Sequence, residues 1–235
     1  MSVTALIPAR AGSRGLKNKN IKLLSGKPLI WYTINPCLKS ELIDKVVVST
    51  DSEKYANICR ELGAEVPFLR SKHLAGDGAT TELVLKDYIE WLEKNGKSVP
   101  EIIVYMQPTD IFRKKKHIDQ CIKNLLNDKT LDSSFVAFPT HKKFWREQSS
   151  TFERVNKGIY PVRQSSEVLY REDTGVVLAT RPSVIKSNRR IGDNVKIVVN
   201  DDEYSGIDIH TEESFYLAEK VVEKELQLKN SEYCF

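Results

Sequence analysis

KVVVSTDSEKYANICREL, Lys45 to Leu62, is the stretch that decides the architecture. Val46, Val47 and Val48 form an unbroken β-branched run, the pattern of a strand buried on both faces, and Ser52 to Leu62 behind it has helical spacing. A strand feeding straight into a helix is the unit of a parallel sheet with covered faces. The same unit recurs upstream, where residues 3 to 7 are an apolar run closed by Pro8 and Pro28 to Leu38 carries apolar residues at helical spacing. Downstream, Glu65 to Leu69 reads as a strand. Glu82 to Glu93 reads as a helix capped by Thr80 or Thr81 and stopped near Gly96, with Leu83, Leu85, Ile89 and Leu92 inward. Ile102 to Met106 is a further strand, and residues 115 to 127 continue as a helix with Ile118, Cys121, Ile122 and Leu125 facing the core.

Ser133 to Phe138, Gly175 to Ala179, Val195 to Val199 and Gly206 to Ile209 read as the later strands, and Glu212 to Leu228 as the closing helix. Thr140 to Gln164 breaks the rhythm: it is polar, aromatic and irregular. The order predicts a three-layer, Rossmann-like α/β fold with a mostly parallel mixed sheet. Right-handed crossovers then gather Pro8 to Asn20, Thr50 with Asp51, and Gln107 to Arg113 into one cleft at the carboxyl ends of the strands. A chain of 235 residues is long enough to bury a full core and short enough for one domain, 1–235, with 138–164 as an arm or lid within it.

Composition narrows the function classes. With 40% hydrophobic and 29% charged residues, the disordered and fibrous classes fall away. No apolar run approaches the roughly 18 residues needed to span a bilayer, and no export signal precedes the first strand, so no membrane role and a cytoplasmic location are expected. Cys37, Cys59, Cys121 and Cys234 are scattered without metal-knuckle spacing and read as reduced thiols. The net charge of +4 is unevenly placed, because Met1 to Lys27 holds six basic residues and no acidic one. Such a segment attracts a polyanion. Nucleic acid is not the expected one, since no basic recognition helix, finger spacing or aromatic-studded basic sheet is legible.

The concentrated charge sits in ARAGSRGLKNKN, Ala9 to Asn20. Gly12 and Gly15 permit tight bends and expose backbone N–H groups, while Arg10, Arg14 and Lys19 can pair with phosphate oxygens. The spacing is neither that of the common NTPase loop nor the three-glycine dinucleotide fingerprint. The residues alone therefore indicate phosphate binding without naming a nucleotide.

IPARAGSRGLKNKNIKLLSGKPL, Ile7 to Leu29, resembles the opening signature of the acylneuraminate cytidylyltransferases, with the KDO cytidylyltransferases as kin. The resemblance continues through VVVSTDSEKYA from Val46, LRSKHLAGDGATTE from Leu69, MQPTDIFR from Met106, VRQ from Val162 and GIDIHTEESFYLAE from Gly206, in order along nearly the whole chain. It implies transfer of CMP from CTP to the anomeric hydroxyl of an acidic eight- or nine-carbon α-keto sugar, with Mg2+ as cofactor and pyrophosphate released. By that resemblance Arg10, Ser13, Arg14, Lys19 and Asn20 hold the triphosphate, with Arg10 and Lys19 catalytic, and Arg70 and Thr81 lie near the nucleotide. Gln107, Arg113, Arg163 and Thr174 fall at the sugar, Arg163 as the partner of its carboxylate.

Asp208 is the implied catalytic metal ligand, and His210 stands where the family pattern has a second aspartate. On an expected strand the two share one face, although Mg2+ prefers oxygen donors, which leaves Mn2+ as an alternative. Two further departures are Asp110 with Ile111, where relatives read Ser and Pro, and Thr174, where relatives carry Asn or Asp. The resemblance also implies a homodimer in which the segment from Phe138 to Gln164 reaches the other subunit, and Lys142 or Lys143 then completes the partner's site. Two other readings remain: a nucleotidyltransferase acting on a sugar 1-phosphate, and a nucleotide-binding regulatory protein.

Overall fold

The computed structural model describes residues 2–13, 15–76, 78–155, 168–200, 202–228, 231–233 and 235. β1 (Val3–Pro8) leads through the loop at 9–18 to a 3-10 turn at Lys19–Ile21; a small hairpin, β2 (Leu23–Leu24) and β3 (Lys27–Pro28), then turns the chain into α1 (Trp31–Leu38). β4 (Lys45–Ser49), α2 (Glu53–Glu61), α3 (Lys72–Ala75), α4 (Thr81–Lys94), β5 (Ile102–Tyr105) and α5 (Lys115–Asn127) follow. The second half adds β6 (Ser133–Thr140), the hairpin β7 (Trp145–Gln148) and β8 (Thr151–Arg154), β9 (Leu169–Glu172), β10 (Leu178–Thr180), α6 (Pro182–Lys186) and β11 (Val195–Val199). A 3-10 turn at Glu203–Gly206 and α7 (Glu212–Gln227) complete it.

The main sheet has the order β11-β6-β10-β5-β1-β4, with β9 pairing β6 off that path. β4 and β5 flank β1 in parallel, with Thr4 opposite both Lys45 and Ile103. Side-chain alternation along these strands separates two cores. Ala5, Ile7, Val46, Val48, Ile102 and Val104 face α1, α2 and α5 through Ile34, Cys59, Ile118 and Ile122. Leu6, Val47, Ile103 and Tyr105 face α4 and α6 through Leu85, Ile89 and Ile185. A third cluster buries Leu16 and Leu24 against Phe215, Ala218 and Val222 of α7, so the chain that leaves β1 is anchored from behind.

Several expectations are corrected. Glu65 to Leu69 does not form a strand; only isolated bridges join Val47 to Glu65 and Thr50 to Leu69, because Pro67 between them has no N–H for a ladder. The expected strand at Gly175 to Ala179 shortens to β10, which runs antiparallel between β5 and β6. Gly206 to Ile209 is not a strand: the chain arrives from a 3-10 turn, and Ile209 N donates to Thr109 O at 3.3 Å. α1 begins three residues later than expected, since Lys27 and Pro28 are paired to the preceding strand. The N-cap of α4 is Thr80, whose Oγ1 accepts from Leu83 N. Within the irregular segment, β6 extends to Thr140 and β7 with β8 forms an outlying hairpin whose Trp145 and Phe152 are exposed. Among the described residues, no helix is long and apolar enough to cross a membrane.

Candidate nucleotide site

A cavity of about 330 Å3 opens beyond the carboxyl ends of β1 and β5. Arg10, Ser13, Lys19 and Asn20 line it from the loop after β1, and Arg70, Thr80, Thr81, Tyr105, Gln107 and His210 also line it. Arg14 and Arg163 lie outside the described residues.

The loop is held by what surrounds it. Ala9 N donates to Ser49 O and Ala11 N to Asp51 Oδ1 at 2.8 Å, tying it to the end of β4. Asn20 Nδ2 donates to Arg10 O, and Asn18 takes a left-handed conformation before the 3-10 turn. The two glycines differ. A Cβ at Gly12 would meet open space, whereas one at Gly15 would stand 2.4 Å from His210 O. Gly15 is therefore required by close packing, which docks the loop onto the turn that carries Asp208 and His210.

Three cations line the cavity, and Arg10 lies within the field of both Lys19 and Arg70. Arg10 Nη1 donates to Ala75 O at 3.2 Å. Arg70 is buried, with Nε on Ser49 Oγ and Nη2 on Ser49 O; burial pushes its proton affinity down to about 10, with Asp51 opposing, so it stays charged at neutral pH. Lys19 is also buried, and Nζ donates to Ile209 O at 2.7 Å and lies 3.2 Å from His210 Nδ1. Burial lowers its pKa, while the carboxylates of Asp208 and Asp110 act against that.

The same geometry revises the role of His210. An ammonium only donates, so Nδ1 accepts from Lys19 and the proton resides on Nε2, which meets Asp208 Oδ2 at 2.8 Å. Both ring nitrogens are engaged, and neither points a lone pair at a metal. Asp208 itself does not line the cavity but joins it through His210. Among the described residues, no group of three or more His, Cys, Asp or Glu is gathered to hold an ion.

Tyr105, Gln107 and Thr81 bring neutral polar groups to the lining, with the Asp110 carboxylate beside Gln107. Gln107 Nε2 donates to Tyr105 Oη at 2.6 Å, Thr81 shares a side-chain hydrogen bond with the same phenol, and Gln107 N donates to Gly175 O. Burial raises the Tyr105 pKa, which keeps it neutral. Two sugar-side expectations are corrected. Arg113 is fully buried behind the cavity, donating from Nε to Val176 O, from Nη1 to Thr33 Oγ1 and from Nη2 to Gln107 O and Gly175 O. It braces the Gln107 backbone and touches no cavity space. Thr174 is buried too, its Oγ1 donating to Glu172 Oε1, and it does not line the cavity. Tyr105, Thr80 and Asp51 were not singled out as individual site residues by sequence, although Asp51 falls in a loop that the strand-end rule selected.

A basic loop leaving β1, between β5 and β4, with three cations lining the adjoining cavity, defines a Rossmann-like nucleotidyltransferase fold. The family profile described as cytidylyltransferase matches residues 4–174. The CMP-N,N'-diacetyllegionaminic acid synthase of Legionella pneumophila is 32% identical over 95% of this chain and 97% of its own length. The N-acylneuraminate cytidylyltransferase of Escherichia coli is 40% identical over 52% of this chain but only 27% of its own length. Among solved structures, a CMP-2-keto-3-deoxy-manno-octonic acid synthetase complexed with CTP superposes with a TM-score of 0.72 at 14% identity, over 96% of this chain and all of that one, and shares its fold. The chain belongs to the cytidylyltransferase family.

Proposed function

We propose that the protein transfers CMP from CTP to the anomeric hydroxyl of an acidic α-keto sugar of the sialic, legionaminic or pseudaminic type, releasing pyrophosphate. The observation that carries this reading is the cavity lining, in which Arg10, Lys19 and Arg70 stand together with the neutral polar groups of Thr81, Gln107 and Tyr105, in a chain similar over 95% of its length to a legionaminic acid synthase. The cations match a triphosphate, and the neutral amide and hydroxyls suit a nucleobase or sugar edge. In-line attack on the α-phosphorus needs positioning and neutralisation of charge rather than a covalent enzyme species. Lys19 and Arg10 are fixed by hydrogen bonds to backbone carbonyls before any ligand arrives, which keeps the cost of reorganisation low. Ser13 and Asn20 shape the loop around the phosphates. Arg14 is assigned to the same phosphates and Arg163 to the sugar carboxylate by the resemblance.

A divalent ion fits this donor set in one respect. Mg2+ keeps several waters and is usually held by one or two carboxylates together with substrate phosphates, so Asp208 is a sufficient first anchor. When bound, the ion would neutralise phosphate charge and favour the departure of pyrophosphate.

The test is to mix the protein with CTP, Mg2+ and a panel of α-keto acid sugars and to follow pyrophosphate. Release with at least one of the sialic, legionaminic, pseudaminic or KDO-type acids is expected; silence across the panel would overturn the reading. Release only with sugar 1-phosphates would select the other nucleotidyltransferase class. Tight CTP binding without release would select a regulatory role.

We also propose a cytoplasmic homodimer built around one domain whose arm, 138–164, reaches the second copy. Phe144, Trp145 and Phe152, large apolar side chains exposed on or beside the β7–β8 hairpin, support this, and Lys142 or Lys143 would then approach the partner's cavity. Light scattering at micromolar concentration is expected to give twice the chain mass of 26.8 kDa; a single species at that mass would remove the dimer.

A further inference from the structure

Two segments distant in sequence meet in the cavity lining, one carrying Gln107 and Thr109 and the other ending at His210. Beside the cavity they are joined by the bond from Ile209 N to Thr109 O at 3.3 Å, and Ile209 O in turn accepts from the ammonium of Lys19. A bond of that length lies past the usual range and fixes a separation only loosely. The same two segments are joined again outside the lining, around a buried carboxylate. Asp202 Oδ2 accepts from the hydroxyl of Tyr233 and lies 3.0 Å from Lys114 Nζ, while Oδ1 accepts from Tyr204 N at 2.9 Å. Lys114 directly follows Arg113, whose Nη2 donates to Gln107 O at 2.6 Å, so this contact fixes the far end of the segment that carries Gln107. Phe112 packs on both partners, its ring centroid 5.7 Å from those of Tyr204 and Tyr233. Tyr233 belongs to a third segment, tied to α7 by Ser231 Oγ donating to Glu225 Oε2 at 3.0 Å and to Lys114 by an antiparallel bridge.

We propose that Asp202 is a positioning residue for the transfer reaction: by holding Lys114 and Tyr233 it sets the spacing between Gln107 on one segment and Ile209, with the Lys19 ammonium bound to it, on the other. Charge-assisted contacts are the stronger kind, so the pairing of Asp202 with Lys114 governs this spacing and the long amide bond beside the cavity follows it. The hydroxyl of Tyr233, the ammonium of Lys114 and the N–H of Tyr204 are all donors, which calls for a group that only accepts. An amide at 202 would turn its own N–H toward one of them. In-line attack demands that the sugar hydroxyl and the phosphate be held in register, and a displacement of about 1 Å that originates far from the chemistry costs on the order of 100-fold in rate. The inference rests on the proposed CTP reaction.

Two measurements on the full chain test this. In single-turnover release of pyrophosphate with CTP, Mg2+ and the acid of the panel that the parent uses, Asp202→Asn and Lys114→Met are each expected to slow the rate by roughly 10- to 100-fold. Half-saturation by CTP should stay within a few-fold, because Arg10, Arg70 and Thr81 stand on other segments. Lys114→Arg keeps the ion pair and should keep most of the rate. In the ligand-free chain, amide hydrogen exchange at Ile209 should accelerate by about 10-fold or more in the first two variants, with the amides of β1 unchanged. Unchanged exchange at Ile209 in both variants overturns the inference. So does equal acceleration throughout β1, which would make Asp202 a support of the whole fold only, and so does a release rate within a few-fold of the parent in both. A parent that releases no pyrophosphate would instead strike the proposed function, and the exchange at Ile209 would then decide by itself whether Asp202 sets the spacing.

Discussion

Lys19→Met lowers kcat/KM for pyrophosphate release by about 10²- to 10³-fold, the range for removing one preorganised donor from a developing charge. Methionine keeps the apolar stem and volume, so the core around the 3-10 turn survives and the circular dichroism spectrum is unchanged. What disappears is a cation held at a fixed point between Ile209 O and His210 Nδ1. Charge builds on the departing pyrophosphate in the transition state, so the loss falls more on kcat than on CTP affinity. Lys19→Arg does not restore the rate, because a planar fork cannot occupy the site shaped for a compact ammonium. A variant with kcat/KM within threefold of the parent would remove Lys19 from the residues that hold the phosphates.

Arg113→Ala has the largest expected effect on stability. Its side chain is wholly buried and donates to Thr33 Oγ1 and to the carbonyls of Gln107, Gly175 and Val176. Each acceptor left unpaired costs about 1–3 kcal/mol, and the emptied volume adds a cavity term. The desolvation of a buried guanidinium, visible as a proton affinity pushed down to about 10, disappears with it and offsets part of this. A net loss on the order of 4 kcal/mol remains, a large share of the roughly 5–15 kcal/mol that holds a domain folded. Arg113→Lys should recover less than half, since one ammonium cannot serve acceptors spread around a planar group. Urea unfolding reads this as a lowered midpoint. A shift worth less than about 1 kcal/mol would mean that Arg113 does not brace the Gln107 loop.

The layered α/β architecture was legible because its cues are local. The valine run at 46–48 and the helical spacing of Ile118, Cys121, Ile122 and Leu125 need no knowledge of distant residues, and both lie where expected. The loop from Ala9 to Asn20 was legible for the same reason. What escaped depends on contacts across the chain. Arginine in a basic stretch reads as a ligand, and only the convergence of Thr33, Gln107, Gly175 and Val176 makes Arg113 an internal strut. Asp208 and His210 were expected to share a strand face; they meet instead through a direct hydrogen bond on an irregular turn. Gly12 and Gly15 look equivalent in sequence, and only the approach of His210 O separates them.

That approach has a thermodynamic consequence. The loop bearing Arg10 and Lys19 and the turn bearing Asp208 are bolted together by the Gly15 contact and by the bond from Lys19 to Ile209, so neither can shift alone. Under such coupling, linkage is reciprocal: whatever factor a divalent ion adds to triphosphate affinity, the triphosphate returns to the ion. A substitution that weakened this coupling would lower the factor for both ligands alike.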